Sequence, residues 1–239
     1  MNIVISQPMF FPWVGLFEQI KLATTYVHLC DVQFSKGSFS NRVQIKTPKG
    51  VKWLTVPLRD FSLGQSIIDT KIDSRKQWKV THIDMLKQAY STAPYCNDMI
   101  KLVESVYSRD VDSIGMLSTL SIEAICNYFD LVAERNFVDV LELRISGSSS
   151  QRVLDIIKTL KGTTYITGLG ARNYLNHQLF EDAGIRVEYM DYQKIPYPQL
   201  YGEFTPYVSI LDLIANTGKN GINWISPKTI YWKDFLKNE

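Results

Sequence analysis

The chain has 239 residues, of which 45% are hydrophobic and 21% charged, the composition of an ordinary globular protein long enough to bury a full core. Its formal net charge of +2 is too small to point to nucleic acid or a membrane surface, and no apolar run approaches the roughly 20 residues of a membrane span. The opening MNIVISQP has neither a basic leader nor a small-residue cleavage site, so a signal peptide is not expected.

Cys30, Cys96 and Cys126 are odd in number and far apart, which suits neither a disulfide framework nor a metal-ligand pair. A reducing cytoplasmic compartment fits them best. The three histidines are equally dispersed, and no zinc site is expected.

Residues 2–6 read as a strand. From Trp13 onward Leu16, Phe17, Ile20 and Ala23 recur at helical spacing, and the apolar YVHLCDVQF follows as a second strand. Strand, helix and strand within about 35 residues predict a parallel βαβ unit. In FSNRVQIKTPKGVKWLTVPL, Thr47-Pro48-Lys49-Gly50 has the signature of a type I turn, which predicts a β-hairpin with Arg42, Gln44 and Lys46 on one face. Helices are expected over 75–91 and 97–107, parted by Ala93-Pro94, and over 112–129 with Asp112 as cap. Alternation then returns. A strand is expected at 141–146 (LELRIS), then a Gly/Ser loop, a helix carrying Val153, Ile156, Ile157 and Leu160, and the strand TYITG. A helix ending near Gly184 and the strand IRVEYMDY follow. The order predicts one α/β domain spanning residues 1–239, with a mostly helical segment at about 75–130.

In an open α/β sheet, ligands bind beyond the carboxyl ends of the strands. Three loops are placed there: QPMFFPWVG (7–15), SGSSSQR (146–152) and TGLGARNY (167–174). In the first, Gln7 can donate and accept, Pro8 and Pro12 stiffen the backbone, and Gly15 admits a close approach. Phe10, Phe11 and Trp13 either wall a ligand site or plug the core. In the second, Ser148 precedes a helix whose free N–H groups can receive an anion, although serines before helices are usually caps. From Asp31 to Trp53, Lys36, Arg42, Lys46, Lys49 and Lys52 face one acid. Such groups suit phosphate, but a charge run is also the usual form of a solvated face, to which Lys49 and Lys52 are assigned. Asp31 ends an apolar strand, as a turn former or a site acid. His82 lies near Trp78 in a helix, His28 alternates within a strand as a structural residue, and His177 reads as solvated. No nucleophile elbow, Walker loop, complete GxGxxG or HExxH is present.

Together these segments resemble the WbqC-like protein family of bacterial polysaccharide and O-antigen biosynthesis. The resemblance rests on QPMFFPWVGLFEQI, LCDVQFSKGSFSNRVQIKTPKGVKWLTVPL, HIDMLKQAY with the following AP, SGSSSQRVLDIIKTLKGTTYITGLGARNYL, FEDAGIRVEYMDY and YPQLYGEFTPYVSILDLIANTG. Two departures are local: Thr25 replaces an acidic residue of the pattern, and Cys30 stands where the first Asp of an Asp-Asp pair is usual. The resemblance implies transfer of glycine or another small acyl group onto an amino sugar of an O-antigen unit. A looser similarity, in the strand, the Pro-x-x-x-Pro-x-x-Gly loop and the following strand, is to adenylate-forming ligases related to pantothenate synthetase. It implies a mainly parallel, nucleotide-binding (Rossmann-like) sheet carrying the hairpin and the helical segment as insertions. The histidines those ligases place in this loop are missing here.

The expected function is therefore a cytoplasmic transferase that N-acylates or aminoacylates a nucleotide-linked amino sugar of the O-antigen or lipopolysaccharide. Arg42, Lys46 and Lys36 would hold the diphosphate, and Asn41 and Gln7 would orient the sugar or acyl carbonyl. Asp31 would take the amine's proton, with His82 as the alternative base. Pro8, Trp13, Gly15, Gln33, Ser148 and Gln199 complete the candidate substrate-binding set. Acyl-CoA, ATP or an aminoacyl donor would serve as co-reactant, a homodimer is compatible, and DNA binding and membrane insertion are not expected. The alternative is a non-catalytic nucleotide-sugar-binding or assembly protein of the same pathway.

Overall fold

A computed structural model describes residues 1–237. The apolar run NIVIS forms β1 (Asn2–Ser6), which leads through α1 (Val14–Leu22) to β2 (Thr25–His28). The chain then leaves this sheet for residues 29–135. That stretch holds β3 (Arg42–Thr47), β4 (Gly50–Thr55), β5 (Leu58–Arg59), β6 (Lys71–Ile72), α2 (Trp78–Tyr90), α3 (Cys96–Tyr107) and α4 (Ile114–Tyr128). It returns as β7 (Asn136–Asp139), followed by α5 (Val140–Leu143), α6 (Ser149–Thr159), β8 (Thr164–Thr167), α7 (His177–Asp182) and β9 (Arg186–Met190). The last elements are α8 (Ile210–Thr217), β10 (Thr229–Tyr231) and α9 (Trp232–Lys237), with 3-10 helices at Leu169–Asn173 and Gly218–Trp224.

The main sheet has the order β10-β9-β8-β1-β2-β7, parallel throughout except for β10 at the edge. The chain is α/β with a mostly parallel six-stranded sheet. Its central strands β1, β2 and β8 are buried almost throughout because both faces are covered. Alternate residues serve the two sides: Val4, Tyr26, Ile166 and Met190 pack with α1, α4 and α8. Ile3, Ile5, Val27, Tyr165 and Val187 pack with α6 and α7 on the other side.

Three expectations are corrected. LELRIS is not a strand: β7 lies at Asn136–Asp139, and Val140–Leu143 turn into α5. The Asp139 carboxylate caps that turn by accepting from the Leu141 N–H at 2.9 Å, and Arg144 ends it in the left-handed region at φ 52°. Nor does Asp112 cap α4; Ser113 does, accepting from the Gly115 N–H at 3.2 Å, while Asp112 pairs with Lys71 at 2.9 Å. The second strand is also shorter than its apolar run, since residues beyond His28 leave the sheet. β3 and β4 form a separate antiparallel ribbon with Thr47 opposite Gly50, joined by Pro48-Lys49. Gly50 sits there at φ 94°, a conformation glycine adopts freely.

The loop QPMFFPWVG divides its aromatics between two roles. Phe10 and Phe11 are fully buried, with Phe10 stacked parallel to Tyr107 at 6.4 Å. Phe11 holds φ 40°, which is strained for a residue with a Cβ. Buried hydroxyls secure it from both sides: Ser121 Oγ accepts from its N–H at 3.0 Å, and Ser209 Oγ donates to its carbonyl at 2.7 Å. Trp13 instead stays partly exposed at the start of α1.

Candidate functional site

The strand order reverses direction at β1: β2 and β7 lie to one side, and β8 and β9 to the other. Helices on opposite faces leave a crevice at the carboxyl ends of strands about such a point. Here it is a cleft of about 470 Å³ whose floor is Ser6 and Gln7 at the end of β1, Leu29 beyond β2, and Thr167 and Gly168 at the end of β8. A neighbouring cavity of about 430 Å³ shares Gln7, Leu29, Val153 and Tyr174 with it and continues to Asp31, Ser148 and Arg152. Both volumes are in the range of small-molecule sites.

The cleft's aromatic wall is set by close packing. The Trp13 indole lies 4.7 Å from the Tyr192 ring and 5.6 Å from that of Tyr207, centroid to centroid. A Cβ on Gly15 would meet the indole at 2.3 Å, so the glycine's role is to let Trp13 fold across the first turn of α1. Gly168 acts similarly at the end of β8: a Cβ there would lie 3.3 Å from Gln19 Nε2 and 3.7 Å from the Tyr192 hydroxyl oxygen. Behind this wall is a cavity of about 20 Å³, lined by Glu18 as well as Trp13 and Tyr192. Glu18 is 3% exposed and its Oε2 has no hydrogen-bond partner. Burial pushes its carboxyl up to about 7, against the pull of the Ser226 main chain and of Lys21.

In the second cavity Arg152 makes a two-pronged ion pair with Asp31, at 3.0 Å from Nη1 to Oδ1 and 2.5 Å from Nη2 to Oδ2. Its Nε donates to the Ile145 carbonyl at 3.1 Å, fixing the plane of the fork. Cys30, next to Asp31, donates its S–H to Asp139 Oδ1 at 3.0 Å; burial first, then this carboxylate, pushes the thiol's pKa up. Among the described residues, no group of three or more His, Cys, Asp or Glu is placed to hold a metal ion, and no helix is long and apolar enough to cross a membrane.

The predicted residues fall into separate groups. Gln7, Trp13, Asp31, Gln33 and Ser148 line the two adjoining cavities, and Pro8 is buried beside Gln7. Gly15 shapes the wall without lining it. The basic ribbon lies apart from the cleft lining. Arg42 covers the Trp53 ring at 4.2 Å and donates to the Gly37 carbonyl. Lys46 is buried, donating to Gln199 Oε1 at 3.1 Å and the Glu203 carbonyl at 2.6 Å, beside a different cavity of about 570 Å³. Gln199 is spent on that contact, the Thr205 main chain and the Tyr197 hydroxyl. Asn41 ties the ribbon to the Val56 carbonyl at 2.9 Å, and Lys36 is exposed in the preceding loop. His82 is 3% exposed, with Nδ1 2.9 Å from the Tyr107 hydroxyl and Nε2 3.2 Å from the Thr55 carbonyl. Burial pulls it down to about 4, against the Thr55 contact. It lines neither cleft cavity.

Sequence reasoning missed Arg152, Ser6, Gln19 and Tyr192. Arg152 was inside a loop already placed at a strand end, and its being the one cation of that loop was the available signal. Gln19 and Tyr192 carried none, since their position depends on packing at Gly168.

The sequence profile of the WbqC-like protein family matches residues 7–224. The chain is also similar to "Uncharacterized protein Rv1507c" of Mycobacterium tuberculosis (strain ATCC 25618 / H37Rv), with 28% identity over 227 residues covering 94% of this chain and 97% of the relative. No solved structure matches it. The match takes in the loops 7–15, 146–152 and 167–174 and nearly every element that builds the cleft, and the chain belongs to the WbqC-like protein family.

Proposed function

We propose that the switch-point cleft binds a nucleotide-linked amino sugar and that the protein transfers an acyl or aminoacyl group to the sugar's amine in surface-polysaccharide synthesis. The observation that carries this reading is the Arg152 fork, held by Asp31 and Ile145 where the two adjoining cavities meet the start of α6. A planar guanidinium beside free main-chain N–H groups suits a diphosphate. The aromatic wall of Trp13 and Tyr192 suits a base or sugar ring, and Gln7 is placed to bond its hydroxyls. The strand order, with only β10 reversed, is that of doubly wound dinucleotide-binding sheets, which adds support for a Rossmann-like site.

An amine attacks only when neutral. In this reading the ligand phosphate draws Arg152 away, which frees the Asp31 oxygens to take the proton of the substrate ammonium. Lys36, Arg42 and Lys46 are left outside the diphosphate site. A second reading, nucleotide-sugar binding without catalysis, is favoured by one specific observation: both Asp31 oxygens are already occupied.

Thermal denaturation with UDP-, dTDP- and GDP-linked amino sugars tests the proposal. At 100 times its dissociation constant a ligand adds about 2.7 kcal/mol to stability, and Arg152→Ala should abolish the shift. An unchanged shift in that variant would move the site elsewhere. Asp31→Asn separates the two readings: an enzyme loses ~100-fold in turnover, whereas a binding protein shows only altered affinity.

A further inference from the structure

A cluster of protonatable side chains meets the cleft at Ser6, and its other members, His28 and Glu123, have no part in the site described so far. Ser6 ends β1 and forms part of the cleft floor. Its register partner on the adjacent parallel strand is His28, so the two side chains leave the sheet on the same face, with their strands about 4.8 Å apart. The His28 ring is 2% exposed, and neither of its nitrogens has a hydrogen-bond partner. Unpartnered buried polar atoms cost stability and call for an explanation. Glu123 of α4 brings Oε1 to 3.4 Å from Nε2. The Tyr26 ring packs edge-on against the imidazole at 5.0 Å, and Phe137 stacks on it at 6.0 Å.

We infer that Ser6, His28 and Glu123 form a nucleophile, base and carboxylate set opening into the cleft. Glu123 favours the tautomer with its proton on Nε2, which leaves Nδ1 as an acceptor, and the same carboxylate stabilises the imidazolium that forms when Nδ1 takes a proton. The hydroxyl of Ser6 makes a 3.3 Å contact with the Gln7 carbonyl and also lies within reach of the Tyr26 hydroxyl, so it must turn from both to meet the imidazole. Burial of the ring among Tyr26 and Phe137 keeps bulk water from competing for that proton.

This rests on the acyl-transfer reading and specifies its route. The Ser6 oxygen attacks the carbonyl of an activated ester or thioester donor, forming the C–O bond. His28 takes the hydroxyl proton and passes it to the departing alcohol or thiol as the donor's C–O or C–S bond breaks. The amine, already neutral, then attacks the acyl-serine; its N–C bond forms, the Ser6 C–O bond breaks, and His28 carries the amine's proton back to Ser6.

The test is covalent labelling with an alkyl fluorophosphonate, which needs neither donor nor sugar. The Ser6 oxygen would displace fluoride from phosphorus with its proton taken by His28, giving an adduct readable by intact mass and peptide mapping. The expected result is one adduct on Ser6, absent in Ser6→Ala, at least ~100-fold slower in His28→Gln and about 10-fold slower in Glu123→Gln. His28 is buried, so its variant is compared by thermal melting. Glu123, 39% exposed on its helix, keeps the fold intact while still slowing the label. No adduct, an adduct on another residue, or labelling indifferent to both His28 and Glu123 overturns the inference. Nucleotide-sugar binding without Ser6 labelling sinks this route and leaves the proposed ligand standing. Ser6 labelling without nucleotide-sugar binding supports the nucleophile and removes the ligand.

Discussion

Replacing Glu18 by Gln should make the protein more stable above neutral pH. The side chain is 3% exposed, its Oε2 is unpartnered, and burial raises its carboxyl from the ordinary 4.5 to about 7. The folded chain therefore binds this proton more tightly than the unfolded chain does. The stability linked to it is complete below about 4.5, falls as pH rises through 7, and is gone above. A shift of about 2.5 units corresponds to roughly 3 kcal/mol, at 1.36 kcal/mol per unit. Urea unfolding of both proteins from pH 4 to pH 9 measures it. The wild type should lose roughly this amount relative to Glu18→Gln, nearly all of it by pH 8, while the difference vanishes near pH 4.5. Asp212, raised by burial to about 6, titrates in both proteins and cancels in the difference. Parallel curves would show that Glu18 is solvated, with water filling the 20 Å³ cavity behind Trp13 and entering freely.

Three further outcomes are expected. Gly15→Ala should displace the Trp13 indole, since the new Cβ would lie 2.3 Å from it. The two lost ring contacts, ~0.5–1.5 kcal/mol each, are only partly offset by ~1 kcal/mol of helix propensity, so melting should fall modestly while ligand binding falls about 10-fold. Lys46→Met should cost about 2 kcal/mol by leaving the Glu203 carbonyl and Gln199 short of a donor, and limited proteolysis should then cut within 199–205; an uncut segment would show that it is held by other contacts. His82→Phe should leave the Tyr107 hydroxyl and the Thr55 carbonyl unpaired, for a loss of about 2 kcal/mol with turnover unchanged. Because burial depresses His82 to about 4, its contribution is present above 6.5 and lost as pH falls through 4, so the variant's acid limb should be shallower. Loss of turnover would restore His82 as a base.

Local pattern made much of the frame legible. Val4 and Ile5 in their apolar run, the 3.6-residue recurrence from Trp13 to Ile20, and the Thr47–Gly50 turn each name their element, because the information sits within a few residues. Where two local signals competed, the sequence alone did not settle the outcome. LELRIS alternates like a strand, yet Asp139, two residues before it, caps a helix and takes the chain out of the sheet. The loop QPMFFPWVG could be placed at a strand end from sequence, but which of its aromatics would be buried was decided by Tyr107, Ser121 and Ser209, each at least 96 residues away along the chain.

The family, the α/β alternation and two of the strand-end loops, 7–15 and 167–174, could be read from the sequence, because they depend on residue order and short-range pattern; the loop at 146–152 follows α5 rather than a strand. The grouping of charges could not. Asp31 and Arg152 lie 121 residues apart and meet only because β2 and α6 converge at the switch point, while Arg42 and Lys46, four apart on one strand, diverge to different partners. His28 illustrates the same limit: alternation marks it as one more inward residue of a strand, and only the register with β1 and the packing of α4 bring Ser6 to the neighbouring strand position and the Glu123 carboxylate to 3.4 Å from Nε2. Sequence spacing determines which face a side chain takes, but what it meets there depends on how distant elements pack.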